Sequence, residues 1–246
     1  MGNETIEISF LSIFTLITFF VFLIVSKYSY KFKSGILLDK DFSKPQAFHQ
    51  SAISRSGGIA GIISINIFLI INYLIFSKFL LDYFFISNLM FLIGFFDDVK
   101  INISPSKRLV LMILFLLILI YFIPIKILNV DVPVLSSFLK NDIFSTLFLL
   151  LCFLFVINGA NLIDGFNGLL AINLIVINII LTYINVQNAN IELSFFIIGQ
   201  VIILLSFLLF NFPNAKIFLG DSGSYLFGSL TALNTIMTNN LNSDYS

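Results

Sequence analysis

The stretch LSFFIIGQVIILLSFLLF, residues 193–210, contains no charged side chain. A helix that crosses a bilayer needs about 20 mostly apolar residues, so this stretch is long enough for one. The whole chain has the same character, because 59% of its 246 residues are hydrophobic, 11% are charged and the mean hydropathy is +1.05. Soluble domains contain about 45–50% apolar and roughly 25% charged residues. The sequence therefore predicts an integral membrane protein.

Seven further apolar stretches extend this pattern along the chain. With 193–210 they predict eight spans, at about 6–26, 57–76, 79–96, 108–125, 143–157, 169–186, 193–210 and 222–238. We expect an all-α, polytopic transmembrane helical bundle forming one domain over residues 1–246. In the loop near 126–142, Val130, Val132 and Val134 alternate with other residues. This spacing predicts a short β-hairpin there.

The positive charges are distributed unevenly between the loops. If the N-terminus lies outside, loops 27–56, 97–108 and 211–221 carry ten Lys and Arg residues, and the opposite face carries three. The ten are Lys27, Lys31, Lys33, Lys40, Lys44, Arg55, Lys100, Lys107, Arg108 and Lys216, and the three are Lys78, Lys126 and Lys140. The positive-inside rule then places the basic loops in the cytoplasm. Acidic and basic residues balance at 13 each, so the net charge gives no indication of a nucleic-acid partner, and we expect none.

One of the predicted cytoplasmic loops begins with two adjacent acids, in the sequence GFFDDVKINISPSKRL, residues 94–109. Neighbouring carboxylates at Asp97 and Asp98 repel each other, and a divalent cation relieves that repulsion. Mg²⁺ prefers oxygen ligands and is commonly held by one or two carboxylates together with substrate phosphates. A solvated loop with its acids beside basic residues is the alternative, and this segment alone does not decide between them.

The segment NGANLIDGFNGLLA, residues 158–171, is unusually rich in amides and glycines. Asn158, Asn161 and Asp164 recur every three residues and would share one face of a helical turn. Such a face could hydrogen-bond a nucleobase and a ribose. The alternative is an ordinary Asn/Gly turn between two spans.

The third polar segment is NFPNAKIFLGDSGSYLFGSL, residues 211–230. At the start of a helix, its Gly-Asp-Ser-Gly-Ser sequence would offer backbone N–H groups to a phosphate, and Asp221 would offer a carboxylate to a metal. A simple N-cap by Asp221 or Ser222 explains the same residues. The three segments fall on one predicted face and together supply groups for a metal, a nucleotide and a phosphate.

These segments resemble the polyprenyl-phosphate N-acetylhexosamine-1-phosphate transferases. A further match is FHQSAISRSGGIAGI, residues 48–62, and the resemblance runs from about residue 39 to 232. It implies transfer of an N-acetylhexosamine-1-phosphate from a UDP-sugar to a polyprenyl (undecaprenyl) phosphate, with release of UMP and dependence on Mg²⁺, with Mn²⁺ as an alternative. It also implies a bacterial inner membrane protein with a cytoplasmic active site, which starts synthesis of a cell-wall or surface polysaccharide. A homodimer is left open.

The resemblance also implies roles for individual residues. Asp97 and Asp98 match the catalytic aspartates, and Asp221 with Asp97 matches the metal site. The residues implied to bind the nucleotide are Asn158, Asn161, Asp164, Asn167 and Phe218.

Two departures from the family pattern stand out. Asn167 replaces the second aspartate of the Asp-Gly-φ-Asp-Gly motif, where φ is apolar. The family also has ten or eleven spans and a later basic loop with a histidine, so we expect this chain to be incomplete at its C-terminus. The single histidine, His49, lies in the first loop and is better interpreted as a loop residue without a catalytic role. The missing basic loop leaves open an inactive family member that binds lipid or a partner. A transporter is less favoured, because its polar residues usually lie near the bilayer midplane and the acids here lie at span ends on one face.

Overall fold

A computed structural model describes residues 2–29, 37–39, 52–77, 80–99, 101, 103–123, 125–128 and 130–242. His49 lies outside the described residues. The described part contains the helices α1 (Gly2–Ser29), α2 (Gly57–Phe76), α3 (Leu81–Asp98), α4 (Pro105–Phe122), α5 (Pro133–Leu139), α6 (Asp142–Ile163), α7 (Leu169–Gln187), α8 (Ile191–Asn211) and α9 (Gly220–Leu241). Strands β1 (Leu38–Asp39) and β2 (Ile53–Ser54) form a small antiparallel pair.

The all-α, polytopic bundle expected from the sequence is confirmed. Every predicted span coincides with a long helix, and six of these helices are long and apolar enough to cross a membrane: α1, α2, α4, α6, α7 and α8. The predicted number of eight exceeds these six, because α3 carries Asp82, Asp97 and Asp98 and α9 is rich in glycine and polar residues. The chain is a multi-pass membrane protein.

Helix α9 is the central helix of the bundle. Most of its side chains are buried, and it packs against α2, α3, α6 and α7. Small residues permit this close packing: a Cβ added to Gly94 of α3 would collide with the backbone of Asp221, and one added to Gly228 would lie 2.9 Å from the side chain of Ala160. Because protein rather than lipid surrounds α9, its polar residues can be satisfied by neighbouring helices.

A polar seam of buried side chains joins α7 to α9. Asn178 donates to Thr231 Oγ1 at 3.2 Å, and seven residues further along both helices Asn185 donates to Thr238 Oγ1 at 2.7 Å. Asn234 Nδ2 donates to Asn178 Oδ1 at 2.8 Å. The equal spacing shows that α7 and α9 run parallel and keep one register over one heptad.

The seam extends to α8 and to the end of α9. Gln200 of α8 accepts from Asn234 at 2.9 Å, and Asn242 donates to Asn185 Oδ1 at 3.1 Å. All of the seam side chains are buried. Because buried amides are costly when unpaired, the seam disfavours any axial slip of α9 against its neighbours.

The β-hairpin predicted near 126–142 is wrong. The described residues of this loop contain no strand, and Pro133 instead begins α5. Proline is favoured in the first turn of a helix because its fixed φ is helical and its missing N–H has no partner there. Pro133 stands between Val132 and Val134, so the helix that it begins includes Val134 and leaves too short an alternating stretch to specify a strand.

Candidate active site

The start of α9 is held beside the first-loop motif by backbone hydrogen bonds. Phe218 N donates to Ser54 O at 2.8 Å, and Gly57 N donates back to Phe218 O at 2.9 Å. Gly58 N then donates to Leu219 O at 2.9 Å. Segment 53–58 therefore runs alongside 217–219, which brings two motifs that are distant in sequence to one end of the bundle.

Asp98 caps the N-terminus of α9. Its carboxylate is fully buried and accepts the backbone N–H groups of Asp221, at 3.0 Å, and Ser222, at 2.9 Å. Gly220 has φ +74° and a Cβ there would lie 2.6 Å from Asp98 Oδ2, so only glycine allows this approach. These N–H groups are therefore already bonded, and our expectation that they are free to bind a phosphate is wrong.

Burial raises the pKa of Asp98 to about 6, against the opposing effects of the backbone hydrogen bonds from Ser222 and Asp221 and the charge of Arg55. A carboxylate at a helix N-terminus is stabilised by the helix dipole and by the backbone N–H groups of the first turn. The shift is upward because removal of the carboxylate from water outweighs these favourable contacts.

Asp97 and Asp221 converge on one arginine. Arg108 Nη1 lies 2.8 Å from Asp97 Oδ2 and 2.8 Å from Asp221 Oδ2. Burial, the adjacent Asp97 carboxyl and the charge of Asp98 raise the pKa of Asp221 to about 7. In the sequence Arg108 stands out only as a loop charge, although it lies in the first turn of α4, the helix that follows the aspartate pair.

Asp97 and Asp221 are suitable ligands for a magnesium ion whose remaining coordination positions are filled by substrate phosphates. Both are hard oxygen ligands, and the structure already brings one oxygen of each to the same cationic atom. Mg²⁺ is usually held by one or two carboxylates and keeps its other positions for water and phosphate. No group of three His, Cys, Asp or Glu side chains that could hold a metal occurs in the part of the chain that the structure describes.

Asn161 connects α6 to the same end of α9. Ser224 Oγ donates to Asn161 Oδ1 at 2.9 Å, and Asn161 Nδ2 lies 3.4 Å from Tyr225 Oη. Tyr225 Oη also lies 3.4 Å from Arg108 Nη1. Tyr225 was missed by the sequence analysis, since a tyrosine in an apolar run carries no distinctive signal. Asn158 is directed elsewhere, because its Nδ2 donates to Leu154 O of its own helix at 2.7 Å.

Asp164 is the C-cap of α6. It faces the acidic cluster, by which we mean Asp97, Asp98 and Asp221. Burial raises its pKa well above the usual value, and the charges of Asp221 and Asp98 raise it further. Its carboxylate forms no hydrogen bond or ion pair with any residue that the structure describes. The carboxylate oxygens of Asp164 can therefore still accept hydrogen bonds from a nucleotide.

Two asparagines, Asn167 and Asn211, join segment 158–171 to segment 211–230. Asn167 Nδ2 donates to Pro213 O at 2.9 Å. Asn211, which is buried, accepts from Gly168 N and donates to Ile217 O at 2.9 Å. We call this the asparagine latch, and it fixes the loop that carries Phe218, a half-buried residue. The aspartate usual at position 167 could not donate such a bond when ionised.

Comparison with known proteins identifies the family of the chain. The model of glycosyl transferase family 4 matches residues 80–239. The chain belongs to glycosyl transferase family 4. Among curated relatives, this family 4 chain is 33% identical over 231 residues to a phospho-N-acetylmuramoyl-pentapeptide-transferase of Dictyoglomus turgidum, covering 89% of the chain and 71% of the relative.

Two further curated relatives of this family 4 chain carry the same name. The protein of Clostridium beijerinckii is 28% identical over 158 residues, covering 59% of the chain and 48% of the relative. The protein of Helicobacter pylori is 30% identical over 174 residues, covering 60% and 49%. The family 4 chain thus spans about half the length of these two relatives. The recognition of a polyprenyl-phosphate hexosamine-1-phosphate transferase family is confirmed.

Proposed function

We propose that this chain transfers an N-acetylhexosamine-1-phosphate from a UDP-sugar to a polyprenyl phosphate and releases UMP. The observation that carries the proposal is the convergence of Asp97 and Asp221 beside Asn161 at one end of the bundle. Family membership supports a glycosyl-1-phosphate transferase, and the relatives' name supports a sugar-phosphate substrate. In the cell, we place this reaction at the cytoplasmic face of the bacterial inner membrane, at the start of cell-wall or surface-polysaccharide synthesis.

The divalent ion, Mg²⁺ or Mn²⁺, would be held by Asp97 and Asp221. When bound, it would neutralise the negative charge that develops on the phosphates during transfer. In the reaction, an oxygen of the polyprenyl phosphate forms a bond to the β-phosphorus of the UDP-sugar. The bond from that phosphorus to the bridging oxygen breaks, and the electron pair leaves with UMP.

Arg108 supplies a permanent positive charge beside Asp97 and Asp221. Its guanidinium contacts both acids and therefore lowers the repulsion between them before any substrate is present. The side chain is partly exposed, at 18%, so it can also reach a phosphate that enters the site. Arginine favours phosphate oxygens because its donors form a rigid fork.

The two adjacent aspartates have different surroundings, which suggests different roles. The Asp97 side chain is 27% exposed and can meet a substrate, whereas the Asp98 side chain is fully enclosed at the N-terminus of α9. We therefore assign contact with the reacting groups to Asp97. A catalytic role for Asp98 stays a prediction, and its geometry favours positioning of Asp221.

The UDP part is assigned to the ends of α6 and α8. Asp164 has an unused carboxylate, Asn161 faces the acidic cluster, and the asparagine latch holds Phe218 nearby. Asn158, which is half-buried, and Asn167, which is exposed, remain in the proposed set as predictions. The lipid tail would stay in the bilayer, beside exposed apolar residues that flank the site such as Leu109 of α4 and Leu162 of α6.

The proposal is tested by release of UMP from membranes that contain this chain. The donors are UDP-GlcNAc, UDP-GalNAc and UDP-N-acetylmuramoyl-pentapeptide, the acceptor is undecaprenyl phosphate, and EDTA is the metal control. Metal-dependent release with one donor supports the proposal and identifies the sugar. Lipid binding without release from any donor would favour the inactive, lipid-binding alternative.

A further inference from the structure

The backbone of Arg55 is fixed between two parts of the cytoplasmic end. Arg55 N donates to Leu37 O at 2.9 Å, next to the pairing of β1 with β2. On the other side of the same segment, Ser54 O accepts from Phe218 N at 2.8 Å. The position of the Arg55 Cα is therefore determined by both β1 and the segment that leads into α9.

The Arg55 side chain joins two carboxylates from different parts of the chain. Nη2 donates to Asp39 Oδ2 at 2.8 Å, and Nη1 lies 3.6 Å from Asp98 Oδ1. The exposed fractions of these side chains are 24% for Arg55, 13% for Asp39 and 0% for Asp98. An ion pair this well buried is screened little by solvent, so it constrains its partners more than a surface pair does.

Asp98 transmits this constraint to α9. Its two oxygens accept the backbone N–H groups of Asp221 and Ser222, and these residues form the first turn of the helix. The carboxylate is enclosed, so loss of its cationic partner would leave a buried charge that is compensated only by the helix end. Breaking a buried pair by removal of one partner is strongly destabilising for this reason.

We propose that Arg55 is a positioning residue that, held by Asp39, fixes Asp98 against the start of α9 and thereby places Asp221. Both terminal nitrogens of the Arg55 guanidinium face carboxylates of the protein, Nη2 facing Asp39 and Nη1 facing Asp98. This arrangement favours a positioning role over direct contact with a substrate phosphate. The inference concerns how α9 is held, and it rests on the proposed function only for its effect on turnover.

The test is hydrogen exchange, followed by mass spectrometry, on the full chain in nanodiscs. Peptides that cover residues 218–226 report on the start of α9, and peptides from α8 serve as the internal reference. In Arg55→Ala, exchange at 218–226 should become about tenfold faster or more, while α8 stays unchanged. Lys27→Ala, which removes a positive charge elsewhere on the predicted cytoplasmic face, should leave both regions unchanged.

Two milder variants keep the test decisive if Arg55→Ala folds poorly. Arg55→Lys keeps the charge but can reach only one carboxylate, so it should restore part of the protection. Asp39→Asn should accelerate exchange at 218–226 less than Arg55→Ala, and the double variant should be no faster than Arg55→Ala alone. Unchanged exchange at 218–226 in these variants, or equal acceleration in α8, overturns the proposal.

Kinetics provide a second readout. In Arg55→Ala, kcat for UMP release should fall about tenfold while the KM for the UDP-sugar changes less than about twofold. An increased KM for the polyprenyl phosphate with unchanged exchange would make Arg55 a substrate ligand and contradict the positioning role. If the wild-type chain releases no UMP, the proposed function fails, and the exchange measurement still decides the role of Arg55.

Discussion

Arg108 Nη1 lies 2.8 Å from Asp221 Oδ2, although the two residues are 113 positions apart in the sequence. The same nitrogen lies 2.8 Å from Asp97 Oδ2. One cationic group thus holds together the acidic end of α3 and the first turn of α9. This relationship is the basis of the proposed metal site, because it brings two carboxylates together where a second cation could take part.

Arg108→Ala should make the chain more dependent on divalent ions for stability. Without the guanidinium, Asp97 and Asp221 repel each other, so Mg²⁺ should raise the apparent Tm more in the variant than in the wild type. Turnover should fall about a hundredfold, since a permanent charge at the phosphates is lost. Thermal shift with and without Mg²⁺ measures the first effect, and UMP release measures the second.

Lys107→Ala is the matched control, because Lys107 is the adjacent basic residue and is exposed. It should leave both quantities unchanged. An Arg108→Ala variant with the wild-type Mg²⁺ shift would show that the arginine does not neutralise the acid pair.

Asp164→Asn should abolish turnover and stabilise the fold. Burial raises the folded-state pKa of Asp164 above its unfolded value, so ionisation of this group above pH 4 favours the unfolded chain. The amide removes that cost, and each kcal/mol gained corresponds to about 2–4 °C in Tm for a chain of this size. The measurement is thermal unfolding at pH 7 and at pH 4.5, and the gain should be smaller at the lower pH. A lower Tm at pH 7 would contradict this account.

Asn167→Asp should weaken binding of the UDP-sugar although it restores the residue usual in the family. An ionised aspartate cannot donate to Pro213 O, so the asparagine latch loses one of its bonds. We expect KM for the UDP-sugar to rise about threefold to tenfold, which corresponds to the net value of one hydrogen bond. Steady-state kinetics measure it, with Asn214→Asp, an exposed neighbour, as the control. An equal or lower KM would show that the latch does not matter for binding.

Asn234→Leu should destabilise the bundle far more than its size change suggests. It leaves Asn178 and Gln200 without their partner inside the polar seam, at a cost of about 1–3 kcal/mol for each unsatisfied group. Asn173→Leu is the control, since Asn173 is exposed on α7 and donates to its own helix. Thermal unfolding in detergent compares the two, and equal Tm values would contradict the role of the seam.

The helical architecture could be predicted because its signal is local. Bilayer-spanning helices must satisfy their own backbone, so apolar length alone locates them, and every predicted span corresponds to a helix. Helix α9 was located by the same reasoning. Its buried central position was not predicted, because the positions of Thr231, Asn234 and Thr238 have meaning only once Asn178 and Asn185 are placed opposite them.

The candidate site was predicted in part. The motifs indicated Asp97, Asp221 and Asn161, and the structure brings these residues to one end of the bundle. The role of Asp98 as the cap of α9 could not be predicted from the sequence. Adjacent aspartates at 97 and 98 could equally both be metal ligands, and only the tertiary contact of Asp98 with the start of α9 distinguishes the two roles. Arg108 and Tyr225 were missed for the same reason, since each acts through partners that are far away in sequence.

The central claim is that Asp221 belongs to a metal-dependent transferase site, and the most direct test is UMP release by Asp221→Asn. The variant keeps the shape of the side chain and removes its charge, while Asn214→Asp provides a control that changes charge in the preceding loop. The account predicts metal-dependent release by the wild type and the control, and none by Asp221→Asn, with all three inserted equally in the membrane. Release by Asp221→Asn at the wild-type rate would contradict it.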